Sequence, residues 1–380
     1  MTELRAGDAP FVETPPLSDL AGREAAWLDL TARAAEPNAF AEAAFVIPAL
    51  LRLAPAGRVA TLLVWSDAAR GALIGMAAIE FPRVPLGLAR VWRSEQAGLA
   101  AIALDRDAAG RALSAILAWL RRERRGVPGL LLPSLETNGP IAQAVEAVAA
   151  RESLRLETVN PRQRAALPAG PTSRFEAGLD KKRRKEWARQ RRRLEERGRV
   201  TSTATDDASG VEAFLALEER GWKGARGSAL AADAARAAFT REMLTRFAAR
   251  GQLRVESLAF DGEPIAIGLV LRSGARAFYW KTAYDERFAE YSPGLQLTLD
   301  VSRRLEREPG LAVIDSCAIS GHPMIDRLWR ARLELADFAL ALRAGPARGF
   351  VLGLAAADAK ERLREVAKRA INPLLRRRRS

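Results

Sequence analysis

The chain has 380 residues, more than one ordinary domain holds, and a formal net charge of +14. Hydrophobic residues make up 48% and charged residues 28%, which excludes a wholly disordered chain. A single cysteine (Cys317) and a single histidine (His322) exclude an intrachain disulfide and a cysteine-based zinc site, and no metal site is expected. Residues 1–16 read as a flexible, proline-containing arm. Helices are predicted over 17–32 and 38–53. The apolar run 59–65 reads as a strand, with a turn at 67–71 and a hairpin partner over 72–81. A third strand is expected over 86–92 and a strong amphipathic helix over 107–125. A short strand (129–133), a helix (139–150), a strand (154–159) and a loop (161–171) follow.

The second part repeats this order. A strand is predicted over 200–204, and helices over 211–220 and 233–250, the latter ended by Gly251. Strand, tight turn and strand fall at 253–260, 261–263 and 264–272. A third strand covers 275–284, then a helix 294–307 and a strand 311–315. Residues 326–336 form another helix or strand. The sequence thus divides into a 17–170 domain, a 171–345 domain and a basic tail, 346–380.

The charge is local. Residues 181–193 (KKRRKEWARQRRR) hold nine Lys/Arg and one Glu, and residues 360–380 hold nine Lys/Arg and two Glu. The rest is nearly neutral. Arginine outnumbers lysine 53 to 7, which fits a base-composition bias, so a lone arginine is weak evidence of function. Three of the seven lysines nevertheless fall in 181–185. The tract reads as a helix capped by Asp180, with a thin apolar stripe at Trp187, Ala188 and Leu194. Either it is a solvated charged helix or it meets a polyanion: CoA phosphates, an anionic glycan or lipid headgroup, or nucleic acid. The tail helix expected over 359–372 would pack on the domain or lie on an anionic membrane. Apolar stretches such as 43–51 and 350–357 are far short of the roughly 20 residues that span a bilayer. The N-terminus has no secretory pattern. A cytoplasmic protein is expected, peripheral at the inner face of the membrane if the basic segments bind lipid.

Several segments carry a family resemblance: LEERG at 194–198, FLALEERGWKG at 214–224 with Gly227 and Ala229, FYWKTAYD at 278–285, YSPG at 291–294, DSCA at 315–318 and HPMIDRLW at 322–329. Together with the element order they resemble the GNAT acyltransferase fold, more specifically cellulose-biosynthesis CelD-type proteins. These are similar, distantly, to the Fem aminoacyl transferases. The first part matches by element order, Trp27 and Glu36-Pro37-Asn38 alone. The resemblance implies an α/β (α+β) fold of tandem GNAT-like domains, each a mixed central sheet flanked by helices, the first non-catalytic. It implies acyl transfer from acyl-CoA (acetyl-CoA) to an amine or hydroxyl, with an envelope or exopolysaccharide precursor as the glycan acceptor. The alternatives are Fem-like transfer from aminoacyl-tRNA, or a non-catalytic scaffold on an anionic membrane or polymer.

Such an enzyme holds a thioester beside a nucleophile, takes a proton and stabilises an oxyanion. By resemblance, the pantetheine arm lies between the strands 275–284 and 311–315. The pyrophosphate then sits at the helix start Ser292-Pro293-Gly294-Leu295, with Arg287 before it; the usual family loop is richer in glycine and arginine. His322 has the side chain suited to a base at neutral pH, and Asp315 at the strand end would orient it or bind the acceptor; the alternative is a loop histidine bonded to backbone. Cys317 reads as a small buried hydrophobe. By resemblance, Trp222 and Lys223 line the acceptor cleft. Strict alternation puts Tyr279, Lys281 and Ala283 on one face and Phe278, Trp280, Thr282 and Tyr284 on the other. The face with Lys281 is the expected cleft wall, where Lys281 would bind phosphate or carboxylate, and Tyr284 reaches the cleft from its rim. Packing or solvation stands as the alternative for each.

Overall fold

A computed structural model describes residues 9–173 and 175–359. The chain opens with β1 (Phe11–Glu13), α1 (Glu24–Ala32) and α2 (Ala43–Arg52). A hairpin of β2 (Val59–Trp65) and β3 (Leu73–Glu80) follows, then the short β4 (Ala89–Val91) and β5 (Ile102–Leu104). α3 (Ala109–Glu123), β6 (Gly129–Glu136), α4 (Pro140–Arg151) and β7 (Leu156–Pro168) complete the first half. The second half begins with α5 (Lys181–Glu195), β8 (Val200–Thr205), α6 (Val211–Arg220), α7 (Trp222–Ala225) and α8 (Ala234–Ala248). It continues with β9 (Leu253–Phe260), β10 (Glu263–Ser273), β11 (Arg276–Tyr284), α9 (Pro293–Leu305), β12 (Val313–Asp315), α10 (Ile325–Leu328) and β13 (Ala331–Ala341). A terminal helix covers 348–359.

All strands join one mixed sheet in the order β1-β2-β3-β4-β6-β13-β7-β12-β11-β10-β9-β8, with β5 on β3. Among the described residues only β4–β6 and β11–β12 are parallel pairs. Each is linked by a crossover containing a helix, α3 or α9, as parallel strands require. The last strands are exchanged at the centre. β13, from the second half, lies between β6 and β7, and β7, from the first half, pairs with β12. The fold is therefore α/β with a large mixed sheet flanked by helices.

Three expectations change. Within the supposed arm, Phe11–Glu13 is an edge strand on β2. The strand expected over 154–159 and the loop over 161–171 are one strand, β7, running through Pro161. Two of its residues, Asn160 and Pro161, face one residue of β13 where the register shifts between Leu335 and Asp337. A bulge needs no ladder donor there, so proline is tolerated, and Asn160 takes φ 54°. Asp337 pins it, accepting from Asn160 and Arg162 side chains and from Ser134 N–H. Third, 326–336 resolves into α10 followed by β13. The helix expected over 359–372 lies, apart from Ala359, outside the described residues.

The cores explain the layers. One sheet face is covered by α1, α2, α6 and α8, whose aromatics meet across the halves: Phe40 stacks edge-on with Phe278 at 5.2 Å, and Phe45 with Phe239 at 5.3 Å. The opposite face is covered by α3 and α4 in the first half and by α5, α9 and α10 in the second. α5 docks through buried Leu194 and half-buried Trp187, and the Asp180 side chain accepts from Arg183 N–H at 2.9 Å as its N-cap. Among the described residues no helix is long and apolar enough to cross a membrane.

Candidate active site

β11 and β12 pair at three positions only, ending at Phe278↔Asp315. β11 runs on to Tyr284, but β12 stops at Asp315 and the chain turns away through Cys317, whose φ is 52°. Beyond Phe278 this edge of β11 has no partner strand among the described residues. The parallel pair thus opens into a gap with free backbone groups on one wall.

Lys281 stands at this gap. The strict alternation expected along β11 fails, because the β10–β11 register shifts between Leu269 and Val270 and leaves Trp280 as an extra residue. A bulge of this kind repeats one side of the strand before alternation resumes. Phe278, Trp280 and Ala283 therefore join the core beneath α6 and α8, while Tyr279 and Tyr284 join the one beneath α9. Among the described residues Lys281 makes no salt bridge; its ammonium lies 5.5 Å from the Trp280 ring centre. Burial, reinforced by the neighbouring Lys223 charge, brings its pKa down to about 8, against the opposing pull of Glu218 and Cys317. Burial and the adjacent Asp315 push the Cys317 thiol up, which suits an inert thiol.

Two ion pairs support this wall. Glu218, 3% exposed, accepts from Lys223 Nζ at 2.7 Å and from Leu230 N–H at 2.7 Å. Lys223 also donates to the Thr282 carbonyl at 3.3 Å. Asp315 is fully buried; Arg164 of β7 donates to it at 2.5 Å and Cys317 N–H at 2.8 Å. Arg164 also donates to the Gly98 carbonyl at 3.1 Å, and Trp280 Nε1 to the Gln96 carbonyl at 2.7 Å. The 94–98 loop of the first half therefore closes one side of the second-half site.

The remaining expected residues fall as follows. Among the described residues Asp315 makes no hydrogen bond to His322; its oxygens accept from Arg164 and Cys317 N–H. His322 Nδ1 instead accepts the N–H groups of Met324 and Ile325, each at 3.4 Å, which is the backbone-bonded alternative. Tyr279 is buried under α9 with its hydroxyl 3.2 Å from Thr298 Oγ1, so it is a packing residue. Trp222 is exposed, with the Arg226 guanidinium 5.0 Å from its ring centre. Tyr284 shields the α9 start: a Cβ added at Gly294 would lie 3.2 Å from its Cδ1.

At that start Ser292 is left-handed and its N–H bonds Ala289, Pro293 has no N–H, and Leu295 and Gln296 N–H groups bond the Ser292 carbonyl. Among the described residues only Gly294 N–H in this turn has no partner. Arg287 is held by Asp285 at 2.6 Å, so its guanidinium is already engaged. What the turn lacks in donors, two arginines supply. A cavity of about 430 Å³ opens beside Leu295, lined by Arg183, Trp187, Pro323, Met324 and Arg327. Among the described residues neither Arg183 nor Arg327 makes a salt bridge. The cavity therefore places two arginines beside the first turn of α9.

Arg164 and Glu218 are the site residues that sequence reasoning misses. Arg164 sits in the stretch read as a loop. Glu218 and Lys223 are five apart, not a helical pairing, and meet only because the helix breaks at Gly221.

Residues 181–321 match the family described as Acetyltransferase (GNAT) domain. The chain is similar to the crystal structure of FemX, with a TM-score of 0.54 and 12% identity over 87% of this chain and 96% of that one. It is also similar to a conserved protein of unknown function from Bacteroides thetaiotaomicron, with a TM-score of 0.51 and 9% identity over 87% and 99%. No curated protein matches the chain significantly. The match to the GNAT acetyltransferase domain thus falls within the second half, and the two structural likenesses extend the shared fold across most of the chain.

Proposed function

We propose that the second half transfers an acyl group from acyl-CoA to an amine or hydroxyl, with a glycan precursor of the envelope or an exopolysaccharide as the acceptor class and the cytoplasm as the compartment. The observation that carries this is the opened β11–β12 pair with a half-buried, unpaired lysine of lowered pKa at its parting. The thioester lies in the gap, where free backbone groups of β11 face the developing oxyanion. Its phosphates meet the Gly294 N–H, Arg183 and Arg327. The acceptor attacks the carbonyl carbon, the C–S bond breaks and the thiolate leaves. Neutral Lys281 takes the acceptor's proton, which then passes to the thiolate. We assign the base to Lys281 in place of His322. An imidazole whose Nδ1 accepts hydrogen bonds carries its proton on Nε2 and has no lone pair there to accept another. Calorimetric titration with a series of acyl-CoAs tests the donor; binding to none of them would overturn the reading.

A second reading keeps the reaction and changes the donor to aminoacyl-tRNA. The likeness to FemX and the single open N–H at the α9 start favour it. Salt-dependent tRNA binding through α5 would support it, and indifference to tRNA at low salt would remove it.

A further inference from the structure

One end of the first-half sheet carries an apolar patch that nothing covers among the described residues. The 348–359 helix buries Phe350 against Leu131, Ala339 and Ala341. Its outer face is Val351, Leu352, Ala355, Ala356 and Ala359, all exposed. The 82–88 loop lies directly on this helix. A Cβ at Gly353 would fall 2.5 Å from the Leu86 carbonyl oxygen, so only glycine permits the contact. The loop and helix expose four large aliphatic side chains: Val84 (61%), Leu86 (48%), Val351 (42%) and Leu352 (60%). Contiguous exposure of this kind marks a surface that meets something apolar.

The same end is rimmed by unpaired positive charge. Arg343 donates to the Arg121 carbonyl at 3.5 Å, which ties the end of β13 to the basic C-terminus of α3. Arg124 lies over Phe81 at 4.2 Å, beside the loop. Among the described residues Arg83, Arg124, Arg125, Arg343 and Arg348 make no salt bridge, although many arginines elsewhere do. The sequence then runs directly into 360–380, with nine Lys/Arg and two Glu.

We propose that this end docks on an anionic lipid surface. The four aliphatic side chains enter the interfacial layer, while the rim arginines meet lipid phosphates. The chemistry favours lipid over single-stranded nucleic acid, because the exposed patch offers aliphatic groups and no stacking ring. The surface lies on the first half, apart from Lys281, and the inference does not depend on the acyl donor.

Co-sedimentation of the full chain with mixed phosphatidylglycerol–phosphatidylcholine vesicles, and with phosphatidylcholine vesicles alone, tests it. Binding is expected to the anionic vesicles only. Val84→Glu with Leu352→Glu should weaken it by about tenfold or more, and Arg125→Glu with Arg343→Glu likewise, with circular dichroism unchanged. No preference for anionic vesicles would overturn the proposal. So would wild-type binding by the Val84→Glu/Leu352→Glu chain. A stable dimer dispersed by Leu352→Glu would assign the patch to a second copy and overturn it equally.

Discussion

The two parallel strand pairs are built alike and filled differently. In the first half, β4 meets β6 at Ala89↔Leu130 and Arg90↔Leu131, and the surroundings are apolar: Val91, Ile102, Leu104, Leu113, Leu117 and Leu132. The helix starts there are occupied by the chain's own carboxylates. Asp105, paired with Arg33, accepts the Asp107 N–H at 2.7 Å just before α3, and Glu36 accepts the Ile141 N–H at 2.7 Å in α4. In the second half β11 parts from β12 beside Lys281, and among the described residues no carboxylate takes the Gly294 N–H. A fold that closes itself with leucine and its own acids in one copy leaves an opening, a lysine and a free donor in the other. The proposed chemistry rests on that asymmetry and not on the sheet.

The largest expected effect tests the open half. Lys281→Met should lower kcat by about a hundredfold or more, as removal of a general base does. The same change should raise the melting temperature, because it removes a group that burial penalises when charged. In the unmodified chain kcat/KM should rise with pH and level off above about 8, as Lys281 loses its proton. Loss of both activity and stability in Lys281→Met would point to a structural lysine instead.

The tie between the halves comes next. Arg164→Gln leaves Asp315 buried and unpaired and should cost about 3–5 kcal/mol in denaturant unfolding. Adding Asp315→Asn should recover part of that loss. With Asp315→Asn alone completing the cycle, a double-variant loss equal to the sum of the two single losses would mean that the pair carries no coupling.

Much of this was legible in the sequence. Hydrophobic periodicity gave β2, α6 and the β9–β10 hairpin almost to the residue, and element order with the quoted segments pointed to the fold. The sequence did not show what depends on long-range pairing. Pro161 argued for a loop, and only a bulge against a strand 175 residues away lets it lie inside β7. That error hid Arg164 and, with it, the partner that takes Asp315 from His322. The Trp280 bulge likewise upset the face assignment of Tyr279, since alternation assumes an unbroken register. Lys281 was picked out as a candidate, but its lowered pKa arises from burial and from Lys223 on α7, which its own strand does not reveal.

Smaller effects sharpen the comparison. Arg183→Gln with Arg327→Gln should weaken acyl-CoA binding by about thirtyfold without altering stability, since charge-assisted contacts of about 1 kcal/mol each would be lost from exposed residues. An unchanged dissociation constant would remove this cavity from the donor path. In the closed half, burial raises the Glu36 carboxyl to about 7. The folded state then holds a proton that the unfolded state has released between the ordinary carboxylate range and 7, so stability falls as pH rises through that window. Glu36→Gln should flatten this fall, by about 1–2 kcal/mol after allowance for solvent screening. A wild-type stability that climbs from pH 5 to 7 and does so equally in the variant would contradict the assignment.

The most direct measurement is a crystal structure after soaking with acetyl-CoA. Density for the thioester is expected between β11 and β12 beside Lys281, with phosphates near Gly294, Arg183 and Arg327, and none between β4 and β6. Density confined to the first half, or none at a millimolar soak, would contradict the account.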